Sequence, residues 1–143
     1  MPRQEGGVKM DPATNNVKRL VGMVGVVQNI TLPGYNKMKI GEAFDRYRYF
    51  KKREWSETRP ENGKYYIIFT GVSPVGWLDL KLKRKGISDK GIEINFYIYP
   101  NGTFGVGMVS KIEVGADGKR YSYPVEDSKS IFDAIYANRE ISY

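Results

Sequence analysis

The chain has 143 residues, with 23 Lys and Arg against 16 Asp and Glu, a formal charge of +7, and 41% hydrophobic and 13% aromatic residues. That is the length of one domain able to bury its own core. With no Cys and no His, thiol nucleophiles, disulfides, Cys/His zinc sites and His-dependent triads are excluded, which leaves any chemistry to carboxylates, Lys, Tyr or an oxygen-held metal.

Residues 1–16 (MPRQEGGVKMDPATNN) are polar, contain Gly and Pro, and lack the apolar central run of a signal peptide. They read as a flexible lead-in to a single domain over residues 17–143. The run 17–30 (VKRLVGMVGVVQNI) fits either a helix or a buried strand. Its Val and Gly content argues for the strand, and its length tips the reading to a helix. The apolar core of this run, Leu20 to Val27, falls well short of the roughly 20 residues of a membrane span, so no transmembrane segment is expected.

Leu32-Pro33-Gly34-Tyr35 is a turn signal, since Pro presets φ and Gly admits the positive φ that follows. Ile40, Ala43, Phe44 and Tyr47 then fall at i, i+3, i+4 and i+7, one face of a short helix over about 39–49. From Trp55 the punctuation becomes that of a sheet. Asn62-Gly63, Asn101-Gly102 and Asp117-Gly118 predict three hairpins with type I′ turns. Strands are expected at 53–59, at 65–72 (apolar on both faces, hence central) and at 77–83, where Leu78, Leu80 and Leu82 alternate with Asp79, Lys81 and Lys83. After a polar connection at 84–91, Ile92, Ile94, Phe96 and Ile98 alternate with Glu93, Asn95, Tyr97 and Tyr99. Phe104, Val106, Met108, Ile112 and Val114 are expected to share one face, with Ser110 the exception, and Tyr121 and Tyr123 to close the last hairpin. A helix opened by Pro124, with Ile131, Ala134 and Ile135 as its apolar stripe, covers the sheet. The order predicts an α+β fold: an antiparallel meander of about four or five strands, N-terminal helical segments, and a C-terminal helix on one face.

Two surfaces are candidates for binding. Lys81 and Lys83, on the outer side of the expected 77–83 strand, together with the outward Tyr97 and Tyr99, would suit a protein or an anionic surface. Alternatively, the stretch RYRYFKKREW offers Tyr47 and Tyr49 for stacking on bases and Lys51, Lys52 and Arg53 for phosphates, a nucleic-acid patch. The same rings also continue the apolar face of the 39–49 helix, which would place Tyr47, Phe50 and Trp55 in the core. The carboxylate pairs Glu113/Asp117 and Glu126/Asp127 flank a turn and a helix start, and the Gly-rich stretch 102–107 lacks the Lys-Ser/Thr ending of a phosphate loop. No catalytic residue, metal or cofactor is expected.

Leu32-Pro33-Gly34-Tyr35, Ile40-Gly41-Glu42-Ala43-Phe44-Asp45, Trp55 and Phe69-Thr70-Gly71 together resemble a pattern in small bacterial proteins, often envelope lipoproteins or exported domains. The helix-then-sheet order is also similar to β-lactamase-inhibitor-like domains, including a small lipoprotein of the outer-membrane barrel-assembly machinery. Two departures stand out: Lys39 occupies the place where a Thr usually caps the helix, and the lipidation Cys is absent. The resemblance implies an exported or envelope location and no catalytic activity. The combined expectation is a non-enzymatic interaction domain, with nucleic-acid binding as the alternative.

Overall fold

The structure, a computed structural model, describes residues 22–58 and 63–142; the expected lead-in, the start of the 17–30 run and Asn62 lie outside them. In chain order the elements are a helix over 22–28 (α1), α2 (Ile40–Arg46), β1 (Lys52–Thr58), β2 (Tyr65–Pro74), α3 (Leu80–Arg84), β3 (Ile87–Ile98), β4 (Phe104–Gly115), β5 (Arg120–Pro124) and α4 (Ser128–Tyr136). The strands form one antiparallel sheet in the order β1-β2-β3-β4-β5, the expected meander, with β1 and β5 at its edges.

The described part of the first run is helical. Glu57 of β1 accepts a hydrogen bond from the Met23 amide at 2.9 Å, satisfying an N-terminal donor of α1 from across the structure. Gly41 lies where α2 meets the end of α1, and a Cβ there would come within 2.8 Å of Gln28 Cβ. α2 buries Ile40, Ala43 and Phe44. Its Phe44 ring meets Trp55 (β1), Phe69 (β2) and Phe96 (β3) at centroid distances of 5.9, 4.7 and 6.2 Å, and Phe132 of α4 at 6.3 Å. The main core therefore lies between one face of the sheet and the helices α1, α2 and α4.

Past α2 the chain is held by polar contacts to its carbonyls. Arg53 Nε donates to Phe44 O at 3.0 Å and its Nη2 to Tyr47 O. Tyr47 is fully buried; its hydroxyl donates to Arg139 O at 2.7 Å and accepts from the Ile141 amide at 3.1 Å. α4 ends in a Schellman arrangement, with Asn138 at φ 56 and its amide donating to Ile135 O, and the Arg139 amide to Ala134 O. That turn delivers Arg139 and Ile141 to Tyr47.

Several local expectations are corrected. The 101–102 and 117–118 hairpins are not type I′, because Asn101 and Asp117 have ordinary negative φ and only Gly102 (φ 88) and Gly118 (φ 86) are left-handed. Both are three-residue loops, closed by Tyr99 N donating to Thr103 O and Gly102 N to Tyr99 O in the first, and by Gly115 N to Lys119 O and Gly118 N to Gly115 O in the second. In each, the Asn or Asp side chain accepts from the amide two residues on, at 2.9 Å. Pro124 ends β5 and does not open α4; the N-cap is Asp127, whose carboxylate accepts from Ser130 N at 3.2 Å.

The expected 77–83 strand is the short helix α3, bracketed by turns. Leu, Lys and Arg are good helix formers, none is β-branched, and Asp79 caps the turn by accepting from Leu82 N at 3.3 Å. The polar connection at 84–91 is mostly strand, since β3 begins at Ile87 and absorbs Ser88 in a bulge. A second register shift places Gly107 and Met108 together opposite Asn95. One extra residue reverses the alternation of β4, so Phe104 and Val106 face the core and Val109 follows them, while Met108 is 57% exposed. Ile112 consequently lies on the opposite face, in one row with Val72 and Gly91, where any Cβ on Gly91 would collide with Gly71 O.

Two predictions follow from these contacts. Burial, first of all, pushes the Tyr47, Tyr35 and Tyr136 hydroxyls up from 10.0 to about 12. The folded chain keeps these protons where the unfolded chain loses them, so stability is full below pH 10 and falls between pH 10 and 12. Tyr47→Phe should lower stability by about 1–3 kcal/mol at pH 7, by orphaning a buried amide and a carbonyl, and should also flatten that alkaline loss. Urea unfolding at pH 7 and across the alkaline range measures both; an unchanged midpoint and slope would rule the role out. At α2, the N-cap Lys39 makes no side-chain cap bond. Lys39→Thr creates a capping box with Glu42 and should stabilise the chain by about 0.5–1 kcal/mol, read as a raised Tm.

Candidate functional site

The structure separates the four residues of the first candidate surface. Lys81 and Lys83 lie on α3, joined by Arg84 and Lys85, in the connection from β2 to β3. Trp77, Leu78 and Leu80 of that connection are 77%, 73% and 58% exposed, beside these four cations. Apolar side chains this large are rarely left in water together without use. The segment is held firmly at both ends: Val75 N donates to Ser88 O at 2.9 Å, and Ala116 N donates to Gly86 O at 2.8 Å. Asp79, the acidic residue within it, is engaged by the Leu82 amide and by Lys90 at 3.6 Å. What the segment presents outward is therefore Trp, Leu and positive charge.

Tyr97 and Tyr99 lie near the other end of β3, on the face turned away from α2 and α4. From Ser88, beside the α3 connection, to Tyr97 is nine strand positions, about 30 Å. The two tyrosines are joined there by Tyr66 and Lys64, neither of which was singled out in the sequence. Tyr66 is the cross-strand partner of Tyr97. Lys64 Nζ lies 4.9 Å from the Tyr66 ring centroid, 4.8 Å from that of Tyr97 and 4.7 Å from that of Tyr99. Tyr97 and Tyr99 meet edge to face at 5.1 Å. The Tyr97 ring lies over Gly105, and any Cβ on Gly105 would collide with it. Hydrogen bonding, chiefly to Tyr66, raises the Lys64 ammonium above its ordinary pKa of 10.5. The Tyr-Tyr doublet of β2 gave no hint of this, because only the β2–β3 register puts Tyr66 opposite Tyr97.

The alternative patch is divided between core and surface. Tyr47 is buried, and the Arg53 guanidinium is engaged by α2 carbonyls. Tyr49 is half-buried, with Arg48 4.9 Å above its ring and donating to its hydroxyl at 2.8 Å. Lys51 and Lys52 are exposed. The set thus presents two lysines, part of one ring, and an exposed Arg53 whose guanidinium is held by the Phe44 and Tyr47 carbonyls.

The acidic side chains make structural contacts. Buried Glu113 lies 3.8 Å from Lys111 and accepts from the Tyr123 hydroxyl at 3.5 Å. Asp133 accepts from Lys129 at 2.8 Å and from the Tyr35 hydroxyl; the Lys129 bond, first of all, holds its carboxyl below the ordinary 3.8. Tyr35 in turn stacks on Tyr136 at 4.4 Å, tying the 32–35 turn to α4. Among the described residues no group of three or more acidic side chains is arranged to hold a metal, and no helix is long and apolar enough to cross a membrane. No family model, curated protein or solved structure matches the chain.

Proposed function

We propose that this chain is a non-enzymatic interaction domain of the bacterial envelope or of exported proteins, docking on an anionic lipid surface through the β2–β3 connection. The observation that carries the reading is the exposure of Trp77, Leu78 and Leu80 beside Lys81, Lys83, Arg84 and Lys85. Trp favours the headgroup level of a bilayer, and Leu side chains favour the acyl boundary just below it. Each Lys or Arg near an anionic surface contributes about 1 kcal/mol, so four within about a Debye length of it act together. An exported location, which the sequence resemblance implies, fits a partner of this kind.

The test is cosedimentation with vesicles containing phosphatidylglycerol against vesicles of phosphatidylcholine alone. Binding is expected to the first only, falling as salt is raised. Lys81→Glu with Lys83→Glu should weaken it by more than about ten-fold, and Trp77→Ala with Leu78→Ala should weaken it with little change in its salt dependence. Equal binding to both vesicle types, or indifference to the charge reversal, defeats the proposal. Tight binding of a single-stranded oligonucleotide, lost on Lys51→Ala with Lys52→Ala, would favour the nucleic-acid alternative instead.

A further inference from the structure

The Tyr66, Tyr97 and Tyr99 rings surround a single cationic nitrogen at nearly equal distances of 4.7–4.9 Å. Three aromatic faces converging on one ammonium form a cage, the arrangement that proteins use to hold quaternary ammonium groups. Here the walls are fixed before any ligand arrives. Tyr66 and Tyr97 are directly paired across β2 and β3, Tyr97 is seated over Gly105 of β4, and Tyr99 is set edge-on to Tyr97. Such preorganisation removes the ordering cost that a cage on mobile loops would carry.

We propose that Tyr66, Tyr97 and Tyr99 form a binding site for the trimethylammonium group of a small soluble compound, and that Lys64 occupies this site as an internal competitor. The occupant at rest is a primary ammonium, compact and strongly hydrated. A trimethylammonium group spreads the same charge over methyl groups that contact ring faces, and it gives up less hydration on entering. Lys64 immediately precedes β2, so its side chain can rotate out while Tyr66 and Tyr97 stay on the sheet and Tyr99 stays in the hairpin, its amide donating to Thr103 O at 2.8 Å. The ligand is a free solute and not a lipid headgroup, because the cage lies about 30 Å along β3 from the α3 connection. A bilayer engaged at that connection does not reach it; the cage rests on its own geometry, and only the choice of a free solute rests on the lipid reading.

The experiment titrates tetramethylammonium and choline into the wild-type chain, Lys64→Ala, and Lys64→Ala with Tyr66→Leu, following tyrosine ring resonances by NMR; circular dichroism confirms that each variant is folded. Lys64→Ala should bind both cations about ten-fold more tightly than wild type, which corresponds to one or two exposed cation–π contacts. Ammonium and potassium ions should bind more weakly than tetramethylammonium, and the Tyr66 substitution should abolish binding. Phosphatidylcholine vesicles should give no shift. Equal affinity of wild type and Lys64→Ala, failure of Lys64→Ala to bind, binding that survives the loss of Tyr66, or a response to vesicles but not to choline would each overturn the proposal.

Discussion

Phe44 is the contact on which the arrangement turns. One side chain from a seven-residue helix meets rings from β1, β2, β3 and α4. A helix that short has little stability of its own, so its place is set by the face it buries. Phe44 therefore decides which face of the sheet α2 and α4 cover. Once that face is closed, everything on the other side follows by alternation. Tyr66 and Tyr97 point outward because Ile67 and Phe96, their chain neighbours, point in.

The closure is reinforced by polar groups that join distant parts of the chain. Arg53 holds the end of α2, the Tyr47 hydroxyl holds the segment after α4, and Tyr35 reaches Asp133. These contacts use several of the aromatic and basic residues that make the chain look like a nucleic-acid binder. The stretch from Arg46 to Trp55 has such a composition because it joins a helix to an edge strand. Its rings fill the junction, and Arg53 satisfies carbonyls that the ended helix leaves open. Outward positive charge remains both on this stretch, Lys51 and Lys52 included, and at α3, where it lies beside exposed Trp77, Leu78 and Leu80.

How much was legible in the sequence depended on how many neighbours a residue's fate required. The face of α2 and the alternation of Ile92 to Ile98 are local patterns, and both appear as read. The 77–83 segment differs because its Leu-Lys alternation has the period of a strand, while residue propensity and the Asp79 cap make it a helix that buries no side chain. Met108 was misassigned because an inserted residue in β4 is invisible until the partner strand is known. The tyrosine cage required register as well, since Tyr66 and Tyr97 are 31 positions apart and meet only through strand pairing. Trp77 and Leu78 were read as part of a strand, and their exposure follows from a chain that leaves the sheet between Pro74 and Ile87.

The two borders of the meander set a further limit on how the domain meets other chains. β1 carries Lys52, Arg53, Glu54 and Glu57, and β5 is five residues long and ends in Pro124. Charged side chains on one border, and brevity with a residue lacking an amide hydrogen on the other, both discourage an incoming strand from extending the ladder. Addition of a peptide strand at the rim, a frequent way for small sheets to capture partners, is therefore disfavoured on both sides. Recognition by this domain has to pass through side chains on its outer face or at the α3 connection, and self-association through open backbone is held off by the same residues.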